Sequence, residues 1–193
     1  HHASLDEMAN TEQIAMANTR RMAACTSTIE ALDQNSRYQF AAAHALCHYQ
    51  SSSIYTFIPK NACTTMRFSL ALSSGVIQDC RDINWIHSNN HTLRAPGLKE
   101  IAAAPYTFTI LRNPFNRLAS YFFDKLAGIS LATTDLSREL ARELFSCQDH
   151  SLTFRDFVNC LWNSPEMLKQ DEHIRPQVDF LVYLDYDDWF CVE

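Results

Sequence analysis

A chain of 193 residues with 47% hydrophobic content can bury one substantial core but is too short for two ordinary domains. Its formal charge of −6 argues against a general nucleic-acid binder or a reader of anionic membrane surfaces, which present basic faces, so any anion site must be local. The seven cysteines, at 25, 47, 63, 80, 147, 160 and 191, form no C-x-x-C pair; they support neither a zinc ribbon nor a thioredoxin motif and read as free thiols in a reducing compartment. No run approaches the roughly 20 apolar residues of a membrane span, and no signal-sequence pattern is visible.

Residues 1–36 read as an N-terminal helical segment, from their Ala, Met, Glu and Gln content and the spacing of Ile14, Met22, Ile29 and Leu32. Residues 37–193 are expected to form a single α/β domain. His44 and His48 read as structural or surface groups, and Ser51-Ser52-Ser53 as a turn. Residues 54–58 are the first strand, and 64–73 the helix that follows, closed near Gly75. The polar stretch 79–99 holds Trp85, His87, His91 and the Pro96-Gly97 pair, and a loop of that length in a compact domain covers or builds a site.

A second strand is expected at 106–111, ended by Arg112-Asn113-Pro114, with Pro114 opening a helix through Leu118, Tyr121, Phe122 and Leu126. Helices are expected at 135–146 and 153–162, with Asp135 and Thr153 as N-caps, and short strands at 180–184 and 189–192. Strands alternating with helices imply a mainly parallel central sheet flanked by helices.

Two turns carry the chemistry. After the first strand, Pro59 and Lys60 precede Asn61, Ala62, Cys63, Thr64 and Thr65, so that backbone N–H groups, two hydroxyls and an ammonium gather at a helix N-terminus, an arrangement suited to phosphate or sulfate. This is not a Walker A loop, which needs glycines, and Arg67 follows Cys63 too closely for a phosphatase loop. After the second strand, Arg112 offers a guanidinium to a phosphate and Ser120 a hydroxyl, with Arg117 and Lys125 adding positive charge.

Taken together these segments resemble the sulfotransferases that use 3′-phosphoadenosine 5′-phosphosulfate, in particular the carbohydrate branch called sulfotransferase family 2. Residues Pro59 to Thr64 match the family's P-K-x-A-C-T loop for the 5′-phosphosulfate. Arg112, Pro114, Phe115, Arg117, Leu118 and Ser120 match its R-x-P-F-x-R-L-x-S motif for the 3′-phosphate. Asp171-Glu172-His173-Ile174-Arg175-Pro176-Gln177 looks like its D-E-H-W-R-P-Q element, with Ile174 in place of the aromatic. Family members often run longer after the segment matched by Tyr186-Asp187, so the chain reads as a compact or a cut-short version.

The resemblance implies a P-loop-like three-layer sandwich and in-line displacement at sulfur, with a hydroxyl acceptor, expected to be a carbohydrate, attacking the donor. Lys60 would stabilise the leaving oxygen, and Cys63 becomes a packing residue of the loop. No metal is expected as a cofactor. Histidine is the expected general base, with His91 first, then His87, then His173 beside Glu172. Tyr121, Phe122, Phe123, Trp85 and Trp162 are aromatics able to stack on a sugar or fill the core. Two other readings fit the strand-turn-helix layout: a P-loop kinase-like nucleotide enzyme and a non-catalytic nucleotide- or glycan-binding module. A cytoplasmic bacterial-type enzyme is the simpler expectation for its location, with a Golgi-lumenal excised domain as the alternative. Nucleic acid is not expected among the partners.

Overall fold

The computed structural model describes residues 20–24, 29–78, 83, 85–89, 93–127 and 153–193. His91 and the helix expected at 135–146 with its Asp135 cap lie outside them. Arg20 to Ala24 lie against the C-terminal segment, where the Ala23 N–H donates to the Val182 carbonyl and the Leu184 N–H to the Arg21 carbonyl. Helix α1 follows at Ile29–Asp33. Helix α2, Ser36–Ala42, begins at Asn35, whose side chain accepts from the Tyr38 N–H at 3.0 Å.

Strand β1, Ala45–Cys47, turns back through Ser52, at φ 55°, into β2, Ile54–Thr56. All three residues of β2 are buried, as is the first half of β3, Thr107–Arg112. Burial on both faces is what parallel neighbours impose on a run of β-branched and aromatic residues. Between them lie α3, Cys63–Ser73, a short helix α4, Trp85–Ser88, inside the stretch read as loop, and α5, Leu98–Ala102, which begins at its end. Helix α3 ends as its glycine predicts. Gly75 adopts φ 74°, its N–H donates to the Leu72 carbonyl, and the Val76 N–H reaches back to Ala71, a Schellman closure.

Helix α6, Pro114–Tyr121, continues into a π-helical turn over Phe122–Leu126. Helix α7, Phe154–Asn163, starts at a capping box in which Thr153 and Asp156 satisfy one another's backbone N–H groups. Two 3₁₀ turns, Pro165–Lys169 and Gln177–Asp179, then lead to β4, Asp188–Val192. The sheet has four strands in the order β1-β2-β3-β4, antiparallel at β1–β2 and parallel at β2–β3 and β3–β4. The fold is therefore α/β with a mostly parallel sheet.

The expected strand at 180–184 is not one. Phe180, Val182 and Tyr183 are at most 1% exposed, yet the backbone there makes only an isolated antiparallel bridge from Tyr183 to Met22. A short apolar run satisfies a core as readily from irregular backbone as from a strand. Val182 and Tyr183 pack with Leu32, Tyr38, Ile54 and Ile101 in one cluster. On β2 the alternate residue, Tyr55, instead packs with Phe108 and Ile110 in another. Among the described residues, Cys47, Cys63, Cys160 and Cys191 are free thiols, and no helix is long and apolar enough to cross a membrane.

Candidate functional site

The turn after β2 is built by two residues in a conformation that L side chains avoid. Lys60 sits at φ 68° and Ala62 at φ 57°, the latter as N-cap of α3 with no side-chain cap bond. Such strain persists only where surroundings impose it, and here they do. The Arg117 Nε donates to the Pro59 carbonyl and the Arg112 Nη1 to the Lys60 carbonyl, both at 2.9 Å. Asn61, fully buried, donates its Nδ2 to the Ile110 carbonyl at 2.8 Å and to Gln177 Oε1 at 2.6 Å. Among the described residues no protein acceptor meets the N–H groups of Ala62, Cys63, Thr64 or Thr65. The turn thus leaves its backbone donors and the positive end of α3 unsatisfied, an arrangement chemically able to hold an anion. Asn61 contributes no exposed side chain to that cradle.

The turn after β3 brings Arg112 beside it. Besides its bond to Lys60, the Arg112 guanidinium has a buried Nε with no partner among the described residues. Ser120 lies half-buried on α6. Arg117 is buried: at 3% exposure it gives its donors to the carbonyls of Pro59, Arg175 and Glu172. Burial pulls its guanidinium down to about 10, against the opposing charge of Asp171.

The 171–177 element ties these pieces together. Gln177 accepts from Asn61 Nδ2 and, at 3.1 Å, from the Arg112 N–H, and donates to the Arg112 carbonyl at 2.8 Å, so that one side chain bridges both turns. Arg175 bonds Asp179 and lies 3.7 Å from the Phe40 ring centroid. Ile174, 2% exposed, fills the cluster built by Tyr121, Phe122 and Phe157.

Glu172 does not orient His173. It meets His44 Nε2 at 3.2 Å, while His44 Nδ1 donates to the Phe40 carbonyl. Asp171 takes the orienting role, accepting from His173 Nδ1 and from the His173 N–H at 2.8 Å each, with Tyr121 donating its hydroxyl to the other carboxylate oxygen at 2.8 Å. Burial alone would raise the Asp171 carboxyl, but the His173 and Tyr121 hydrogen bonds and the His173 charge outweigh it and hold it below the usual carboxylate range. A carboxylate only accepts, so Nδ1 carries the proton and Nε2 is the basic nitrogen of neutral His173.

Of the other base candidates, His87 reaches the first turn, its Nε2 3.2 Å from the Thr64 hydroxyl. Arg67, buried on α3, helps to hold that neighbourhood by donating to the Ile86 carbonyl at 3.4 Å. His91 is outside the described residues. Of the aromatics, Tyr121 and Phe122 belong to the core, whereas Phe123 and Trp162 are exposed.

Lys60 also has a partner that its motif does not reveal. Its Nζ forms an ion pair with Asp124 Oδ2, in the π-helical turn, and Lys125 Nζ lies 3.3 Å from the same oxygen. Asp124 stands four positions after Ser120, but nothing in that spacing points to Lys60, 64 positions away. Gln177 and Arg117 lay inside recognised motifs, but nothing local announces which backbone atoms they bind.

Comparison with curated proteins and comparison with solved structures each give no match. A family model described as Sulfotransferase family matches residues 43–187, a span that holds both turns, His87 and the 171–177 element. With that much of its 193 residues matched, and the matched motifs interlocked in the fold, the chain belongs to the sulfotransferase family, whose members are transferases of the sulfuryl group.

Proposed function

We propose that the protein transfers the sulfuryl group of 3′-phosphoadenosine 5′-phosphosulfate to a hydroxyl of a carbohydrate, on a P-loop-like three-layer unit spanning residues 37–193. The observation that carries this reading is the hydrogen bond from Arg112 Nη1 to the Lys60 carbonyl. It sets the two anion-binding turns against each other, as a donor with phosphates at both ends of its nucleoside requires. The carbohydrate acceptor follows from the family branch whose motifs the chain resembles.

In this reading the N–H groups of Ala62, Cys63, Thr64 and Thr65, with the two threonine hydroxyls, bind the 5′-phosphosulfate. Arg112 and Ser120 bind the 3′-phosphate. The donor supplies the sulfuryl group: the bond from the acceptor oxygen to sulfur forms as the bond from sulfur to the 5′-phosphate oxygen breaks. Lys60 neutralises the charge that grows on that leaving oxygen. His87, already against the loop through Thr64, takes the proton of the acceptor hydroxyl.

The test is transfer of labelled sulfate to a panel of glycans. Lys60→Ala and Arg112→Ala should each lose activity on the order of 10²–10³-fold, and a normal rate in either removes the site. Calorimetry should show binding of 3′-phosphoadenosine 5′-phosphate in preference to ATP. For the base, single-turnover rates of His87→Ala, His91→Ala and His173→Ala are compared. An unimpaired His87→Ala variant would take His87 out of the reaction.

A further inference from the structure

The ion pair between Lys60 and Asp124 puts a carboxylate inside the first anion-binding turn, where the donor reading needs a cation. Its position is fixed by the core. Asp124 lies in the π-helical turn Phe122–Leu126, whose end residues are 4% and 5% exposed and pack with Tyr121, Phe157 and Leu161. Helix α6 and this turn are continuous, so the element that carries Ser120 toward one end of the site also delivers a negative charge to the other. Lys60 is mostly covered, with a side chain 14% exposed, and Asp124 is more open at 44%.

The chemistry of this carboxylate argues against a proton-transfer role. Partial burial would raise its carboxyl, but the hydrogen bond from Lys60 and the charges of Lys60 and Lys125 hold it below the usual carboxylate range. A group so depressed is a poor proton acceptor near neutral pH. What remains to it is charge. An anion approaching Lys60 meets an ammonium already paired with Asp124, a carboxylate that Lys125 also contacts, and gains less from it than from a free ammonium.

We propose that Asp124 is a specificity-determining residue that competes with incoming anions for Lys60. Small free anions such as sulfate and inorganic phosphate, which have only the turn itself to bind, lose that competition. A ligand that is also anchored at Arg112 and Ser120 is held at high effective concentration beside Lys60 and draws it away from Asp124. The inference rests on the reading of Lys60 as the donor-binding cation.

The experiment is calorimetric titration, at low ionic strength, of sodium sulfate and of 3′-phosphoadenosine 5′-phosphate into the wild type, Asp124→Asn and Asp124→Ser. Sulfate affinity should rise on the order of tenfold in both variants, and nucleotide affinity should rise by less, so that the preference for the nucleotide shrinks. In a Lys60→Ala background the Asp124 substitutions should raise sulfate affinity far less than in the wild type, a coupling that a general loosening of the turn would not produce. Two folded variants with sulfate affinity unchanged or weakened would overturn the proposal while leaving nucleotide binding, and the donor reading, intact. Tighter sulfate binding in a protein that never binds the nucleotide would instead remove the donor reading and keep Asp124 as the competitor for Lys60.

Discussion

The turns after β2 and β3 share a strand-turn-helix plan, but one is open where the other is closed. At the second, Pro114 needs no N–H partner, and the Asn113 side chain accepts from Phe115 and Asn116, so the local sequence satisfies the start of α6. At the first, α3 begins on a left-handed Ala62 with no side-chain cap, and its strained backbone is held by residues distant in sequence. A self-satisfied helix start leaves only side chains to bind with, in the proposed function Arg112 and Ser120. An unsatisfied one leaves backbone donors. Backbone donors suit the sulfuryl end, since they hold a charge in transfer with little rearrangement, whereas a static phosphate can be held by a guanidinium.

The sharpest way to break this contrast is to remove the outside support of the first turn. Arg117→Met keeps most of the buried volume but strips donors from the carbonyls of Pro59, Glu172 and Arg175. Denaturant unfolding should show a loss of about 3–5 kcal/mol, as expected for a buried charged group with several hydrogen bonds. A loss below about 1 kcal/mol would mean that the turn holds its own geometry.

A smaller effect is expected at the link between the turns. Gln177→Leu removes the bridge from Asn61 to both backbone groups of Arg112, while Asn61 keeps its bond to Ile110. The expected cost is about 2 kcal/mol in stability. The diagnostic readout is binding: affinity for 3′-phosphoadenosine 5′-phosphate should fall on the order of tenfold in the folded variant, because the spacing of its two phosphate sites is no longer fixed, while sulfate, which needs one turn, should bind as before. Equal loss for both ligands would show that the turns are not coupled through Gln177.

How much of this was legible in the sequence follows the same division. The second turn was read correctly down to its proline because every cause of it is local: β-branched residues, then Asn113, then Pro114. The first turn was recognised by residue type, but its two left-handed residues, Lys60 and Ala62, are not ones that favour φ > 0 and gave no warning. The contacts that impose their shape span 52 positions from Lys60 to Arg112, 58 from Pro59 to Arg117 and 116 from Asn61 to Gln177. No periodicity encodes such pairings. The same limit explains residues 180–184, where an apolar run was read as a strand although the fold needed its side chains in the core and its backbone against Met22. It explains Asp124 as well, whose partner is 64 positions away.

The smallest predicted effect tests the closed side of the comparison. Asn113→Ala removes the acceptor that serves the Phe115 and Asn116 N–H groups, and such a cap is worth about 1 kcal/mol. Those N–H groups lie at an exposed helix start, where water replaces the lost partner. Thermal unfolding should therefore shift by a few degrees, with affinity for 3′-phosphoadenosine 5′-phosphate unchanged, because in the proposed function the phosphate at this end is held by Arg112 and Ser120 rather than by the helix start. A tighter-binding variant would be the informative failure: it would mean that the freed N–H groups reach the phosphate, and that Asn113 closes a helix start otherwise as open to anions as the one at α3.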